Sequence, residues 1–300
     1  MSVKLDKEPE LKRPIMLCAW SGIANVGLVA VNTMRRFMRA EEFGQIEPYG
    51  YFDPTHVVIA NGLIEDLRFP TTRFFSHRRP DRDVIFVVGE RQPENPEKAY
   101  EMAGEVLDVA ERLGCRRVYT SGASVTAIHH TSKPRVWAVP NRRRLIPEIR
   151  RYGNTVLMSE VDGAEGQGTI TGLNGLLLGV ARSRQIEAVC LLGEVPYYLQ
   201  GAPWPYPKAS ISILEVLSEI LGLPVDLHEL HETAGKVEAN INEVLEALST
   251  AEELPEQVRE EMEHLRYPPP SDLGPITEAE QADIMEHIDE LFEGNAGHQS

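Results

Sequence analysis

Short apolar runs recur along this chain with no polar residue between alternate positions, and they narrow its fold more than any other feature. PIMLCAW (14–20), DVIFVVG (83–89) and EAVCLLGE (187–194) are such runs. A strand that keeps one face in water alternates apolar and polar residues, so an unbroken run marks a strand buried on both faces. Helical patterns separate the runs. After Pro93 and Pro96 comes EKAYEMAGEVLDVAERLG, with Met102, Val106, Val109, Ala110 and Leu113 at helical spacing and Gly114 as a stop. SGIANVG leads into a helical pattern through about Phe43, and 208–221 holds another. RRVYTS (116–121), RVWAVP (135–140) and TVLMSE (155–160) read as further strands, with Asn141 placed to cap a helix over NRRRLIPEIRR. Strands alternating with helices predict a three-layer α/β/α fold with a mainly parallel sheet.

Two regions depart from this rhythm. Residues 44–75 read as short strands joined by turns, an antiparallel excursion with a hairpin at Asn61-Gly62. After Pro224 the texture becomes helical and acidic. Leu227, Leu230, Ala234, Val237, Ile241 and Leu245 repeat at steps of three and four, and two more helices are expected at LPEQVREEMEHL and ITEAEQADIMEHIDELF. The formal net charge of −16 is concentrated here: residues 225–300 carry twenty acids and three bases, leaving the rest of the chain near neutrality. The expected organisation is an α/β core over 1–224 and an acidic helical extension over 225–300. Phosphates would repel that extension, so nucleic acid is not an expected partner. No apolar run is long enough for a membrane helix, and the first residues show no secretory signal. Cys18, Cys115 and Cys190 are widely spaced, which argues against a disulfide framework or a zinc site and for a cytoplasmic chain.

The stretch GQGTITGLNGLLLG (166–179) raises the question of phosphate binding. A phosphate loop needs a lysine to reach the phosphates, and none lies between Lys133 and Lys208. The dinucleotide fingerprint needs two residues before its last glycine, and here three follow Gly168 before Gly172. The segment instead reads as a helix from about Thr169 or Thr171. Gly172, Gly175 and Gly179 then share one face, expected to receive another backbone closely. Its N-terminus near Gly168 could still attract an anion.

Other candidates lie at the expected strand ends, where open α/β sheets gather ligands. VVGE and LLGE place Glu90 and Glu194 there, and YTSGA adds Ser121 and Gly122. Two carboxylates in one crevice could serve as acid and base, or each could hold loop amides. Gly22, Asn25, Gly122, Gly168 and Tyr197 are the candidate ligand contacts. His129-His130 in a polar loop is expected to face solvent, its adjacent side chains diverging. HELHE at 228–232 is not the HExxH of a zinc helix, and no metal or cofactor is expected.

Four segments, in order, resemble one family: WSGIANVGLVAV, TSGASVTA, GTITGLNGLLLGVA, and the long closing stretch from LLGEVPYYLQGAPWPYPKAS to LPVDLHEL. The chain resembles the proteasome assembly chaperones, in the branch related to the second member of the eukaryotic chaperone pair. The resemblance covers roughly residues 14–240. It implies a phosphorylase/hydrolase-like fold, a homo-oligomer (a trimer among the arrangements) and a chaperone or scaffold role with protein partners. Some relatives carry an ATP-grasp label, but no glycine-rich lid followed by a lysine pair is found here. Relatives that dock on the proteasome can end in a hydrophobic residue, Tyr and one more residue. This chain ends GHQS, with Tyr197, Tyr198 and Tyr267 internal, so docking through the C-terminus is not expected. The competing expectation is a hydrolase or transferase of the same fold. It would act on a small anionic or nucleoside-like molecule through Glu90, Glu194 and Ser121.

Overall fold

The computed structural model describes residues 2–158, 168–250 and Arg266. The apolar runs form the middle of a nine-stranded sheet. Its strands in chain order are β1 (Val3–Leu5), β2 (Ile15–Trp20), β3 (Glu41–Ile46), β6 (Thr72–His77), β7 (Val84–Gly89), β8 (Arg117–Thr126), β9 (Val136–Pro140), β10 (Thr155–Leu157) and β11 (Glu187–Pro196). Their order across the sheet is β1-β3-β6-β7-β2-β8-β11-β9-β10. The central four, β7-β2-β8-β11, are mutually parallel. Antiparallel pairs lie on both flanks, at β1-β3-β6-β7 on one side and β11-β9 on the other.

Helices cover both faces. On one, α1 (Val26–Phe37) and α5 (Pro207–Leu221) bring Ala30, Met34, Ile213 and Leu217 onto Leu17, Tyr119 and Leu191. On the other, α2 (Pro96–Arg112) and α4 (Gly172–Ser183) bring Met102, Val106, Leu173 and Leu177 onto Met16, Cys18 and Cys190. A strand whose two faces both meet helices must be apolar throughout, and all six residues of β2 are buried. The short α3 (Ile146–Ile149) covers one end, and α6 (His228–Thr250) lies on α5 with Ile241 buried in the first core. The three cysteines are free and buried. Among the described residues no helix is long and apolar enough to cross a membrane.

Several local expectations are corrected. The first helix ends at Phe37, not Phe43. Arg39 turns the chain with a φ of 51°, and Phe43 is buried in β3 instead. Asn141 caps no helix. Its buried amide accepts from the Ala188 N–H and donates to the Ile186 carbonyl, both at 2.9 Å, tying β9 to the start of β11. The glycine face of α4 also differs. An added Cβ on Gly179 would meet nothing within 4 Å, and one on Gly175 would meet the carbonyl of Ile170 just upstream, at 2.0 Å. Among the described residues, Gly172, with a φ of 71°, is the one of the three that meets another segment, at Gln92.

The excursion over 44–75 divides in two. β3 and β6 extend the main sheet, while β4 (His56–Ala60) and β5 (Leu63–Arg68) pair only with each other. Asn61 and Gly62 both have positive φ, 53° and 78°, as a two-residue hairpin turn requires. The two helices expected beyond residue 250 lie outside the described residues.

Candidate functional site at the strand ends

The C-terminal end of β2 and the middle of β8 form the junction where the fold changes direction, since β2 leads toward β3 and β7 while α2 returns the chain to β8. Ser21, Gly22 and Asn25 leave β2 here, and Ser121 and Gly122 lie on β8 beside them. Ala24 and Asn25 take positive φ, 46° and 51°, to turn the chain sharply into α1. The Ser21 hydroxyl donates to Asn25 Oδ1 at 2.9 Å and holds that turn.

The chain's own groups fill this junction. A Cβ on Gly27 would lie 2.0 Å from the Ser121 carbonyl oxygen and 2.7 Å from the Gly122 nitrogen, so the backbone of α1 rests directly on β8. Gln92 spans the other side. Its Nε2 donates to the Ser21 carbonyl at 2.9 Å, and its Oε1 accepts from the Leu173 N–H at 2.7 Å. That bond occupies a first-turn donor of α4, the group an anion would otherwise seek. Asn174 Nδ2 donates to the Ser121 carbonyl at 3.2 Å. Among the described residues the buried Ser121 hydroxyl has no hydrogen-bond partner, so none of them is a base placed to activate it. Gly168 lies next to Met158.

The structure does not bring Glu90 and Glu194 together. β7 and β11 stand three strand positions apart, about 14 Å at the usual strand spacing. Glu90 turns toward β6, accepting from the Thr71 N–H at 3.0 Å and pairing with Arg68 at 3.6 Å. Glu194 is 1% exposed. It accepts from the Arg135 N–H at 2.7 Å, the Arg135 guanidinium at 3.1 Å and the Trp137 indole N–H at 3.0 Å. Among the described residues no three His, Cys, Asp or Glu side chains converge as a metal would require.

A second polar centre lies just beyond the C-terminal ends of β8 and β11, and sequence reasoning misplaced it. His129 and His130 do not face solvent and do not diverge: they are 6% and 2% exposed, with ring centroids 4.2 Å apart. The loop that carries them tucks under α6. Tyr198 OH accepts from the His130 backbone N–H and lies 2.8 Å from its Nδ1, while Nε2 lies 2.9 Å from Asn242 Oδ1. With its oxygen engaged by the backbone, Tyr198 directs its own proton at Nδ1, which assigns a neutral ring protonated at Nε2. Lys208 donates to the carbonyls of His130 and Thr131 at 2.9 and 2.8 Å and pairs with Glu238. Loop, α5 and α6 are thereby clasped together. Tyr197, the tyrosine singled out from the sequence, packs edge-on against Tyr198 at 5.4 Å, and it is Tyr198 that enters the network. The available signal was the polar pair Glu238 and Asn242, four apart on α6 beside the buried Ile241.

Burial, followed by the neighbouring His130 and Arg266, holds His129 down from an ordinary value of 6.5 to about 4. Burial also lowers His130, against the opposing pull of Asn242. A histidine held neutral by the fold stabilises it above the unfolded value, and that stabilisation is lost as pH falls toward the folded value. His129 alone should therefore cost about 2 kcal/mol of stability between pH 7.5 and pH 5. Urea denaturation at the two pH values measures this, and His129→Phe should flatten the dependence. An equal slope in wild type and variant would contradict it.

With this geometry in view, comparison with known proteins gives the relationship. The model of the PAC2 family matches residues 16–245. The chain belongs to the PAC2 family. A solved relative is PbaB of Pyrococcus furiosus, described as an archaeal proteasome activator. It is 27% identical, with a TM-score of 0.68, covering 81% of this chain and 97% of that one. The proteasome-assembly chaperone homologue Rv2125 of Mycobacterium tuberculosis shares the fold at 24% identity, with a TM-score of 0.61, over 76% of this chain and 94% of its own. The uncharacterized protein MJ1210 of Methanocaldococcus jannaschii is 26% identical over 239 residues, 80% of this chain and 85% of that protein. The family is the one that the four ordered segments resemble. The filled junction includes Gly22, Asn25 and Gly27 from the first of those segments and Asn174 from the third.

Proposed function

We propose that this PAC2 chain is a non-enzymatic assembly chaperone or scaffold that binds protein partners, with proteasome core-particle subunits as the first candidates and the cytoplasm as its compartment. One observation carries the reading: the strand-end junction, where an enzyme of this fold would hold its ligand, is occupied by Gln92, Asn174 and the backbone of α1. The relationship to a proteasome activator supports the choice of partner. So does the acidic character of the segment from α6 onward, which suits a basic protein surface. The enzymatic alternative would need Glu90 and Glu194 at a shared crevice, and the sheet holds them apart.

The test is reconstitution of the core particle from separately prepared subunits of the same source, with and without the full chain. The yield or rate of assembled particle should rise several-fold with the chain present. An unchanged yield and rate would overturn the assembly role.

A further inference from the structure

The antiparallel pairing of β9 with β11 gathers arginines at one end of the sheet. Pro140 at the end of β9 stands opposite Val189, so Arg142, Arg143 and Arg144 leave β9 beside the starts of β8 and β11. The last turn of α4 brings Arg182 to the same place, where Arg142 Nη2 donates to its carbonyl at 2.9 Å. Arg144 Nε donates to Glu187 Oε1 at 2.7 Å, and the Glu187 N–H donates to the Arg116 carbonyl at 3.1 Å. Five cations thus share one face, Arg142 half-buried and the others exposed. The acids nearby are already taken. Glu187 pairs with Arg117 and Arg144, Glu148 with Arg117, and Asp108 and Glu111 with Arg184. Among the described residues, Arg116, Arg142, Arg143 and Arg182 form no ion pair. The negative end of α4 accounts for Arg182 and leaves the other three uncompensated.

We infer that this arginine face receives the acidic segment 278–293 of the same chain, in an intramolecular contact that masks both. That segment holds seven acids and no Lys or Arg. The five cations are all Arg, and a planar guanidinium meets a carboxylate through two parallel N–H bonds where a lysine offers a point charge. The length fits. Arg266 lies near His129, beyond the C-terminal ends of β8 and β11 and so at the opposite end of the sheet. The ten residues of β11 span about 33 Å. Residues 267–277, extended, cover about 36 Å and bring 278–293 level with the arginines. The tether holds the acids at an effective concentration of about a millimolar, so modest charge pairs suffice to populate the contact. A nucleic acid or a foreign acidic protein has to displace this tethered rival. A basic partner of the acidic segment, in turn, has to displace the arginine face, which makes the contact an autoinhibitory one.

Energy transfer within the full chain tests this with no proteasomal subunit present, and so independently of the chaperone reading. The native cysteines are buried, which leaves dyes to attach at Ser183→Cys, beside Arg182, and at Gly294→Cys, beside Glu293. Transfer should be high at about 50 mM salt and fall at about 1 M, where screening acts within about 3 Å. Arg143→Glu with Arg182→Glu should bring the low-salt transfer down to the high-salt level. Lys98→Glu with Lys236→Glu, the same change of charge elsewhere, should leave it high. Transfer that ignores both salt and the arginine reversal would overturn the proposal, and so would transfer seen only between chains labelled separately with donor and acceptor. A short single-stranded oligonucleotide gives a second readout. Neutralising the seven acids to Asn and Gln should raise its affinity for the chain roughly tenfold or more, and the arginine reversal, but not the lysine reversal, should abolish that gain. An unmodified chain that binds the oligonucleotide as tightly as the neutralised one would also contradict the contact, since the arginine face would then be open to nucleic acid.

Discussion

Gly27→Ala is expected to lower stability by about 4 kcal/mol or more, enough to leave the chain largely unfolded or insoluble. The added methyl would sit 2.0 Å from the Ser121 carbonyl oxygen and 2.3 Å from its carbon. Neither neighbour can yield. Ser121 belongs to β8, which is paired to β2 on one side and β11 on the other. On the other side of the contact, α1 is fixed by Val26, Ala30, Val31 and Met34 in the core. Relief requires the helix to lift off the sheet, opening voids along that contact. Gly179→Ala is the control. That position faces open space within a helix, so alanine should be neutral or stabilising by up to about 1 kcal/mol. Urea denaturation of the two variants separates the cases. Equal and small effects would show that α1 does not rest on β8 as described.

Glu194→Ala is expected to cost about 3 kcal/mol, because it takes the acceptor from a buried indole N–H and a charged partner from Arg135, whose side chain is 37% exposed. Its carboxylate accepts from the Arg135 backbone and guanidinium and from the indole of the fully buried Trp137. Alanine removes the acceptor of the buried indole N–H and one anionic partner of the guanidinium. Glu194→Gln keeps an oxygen for Trp137 and should lose roughly half as much. The guanidinium also lies 5.5 Å from the Trp137 ring centroid, so the carboxylate, cation and indole act as one unit binding β9 to β11. A denaturation midpoint for Glu194→Ala equal to that of wild type would contradict this assignment.

These two positions show what the sequence can and cannot disclose. The central strands were legible because burial on both faces forbids polar residues, and the hairpin was legible because Asn61-Gly62 suits a turn with two positive φ values. The glycine-rich helix was legible as a helix, but not in its contacts. Residue spacing tells which glycines share a face and says nothing of what stands opposite. The tightest backbone approach fell to Gly27 and Ser121, 94 positions apart in the chain. Glu194 was marked by its place after a buried strand, yet its partners come from the neighbouring β9 through register alone. The buried histidines were hidden for the same reason. A polar loop reads as solvated until α6 is known to lie over it with Asn242 and Glu238 in reach. The end of α1 was missed because Phe43 continues the apolar pattern while the backbone reverses at Arg39.

Whether this PAC2 chain works through a protein-binding surface rather than a small-molecule crevice is tested most directly by native mass spectrometry of the full chain mixed with the core-particle subunits of its own source. A defined complex that includes the chain is the expected result, retained in Glu90→Gln. A mixture in which the chain and the subunits remain separate at every ratio would contradict it.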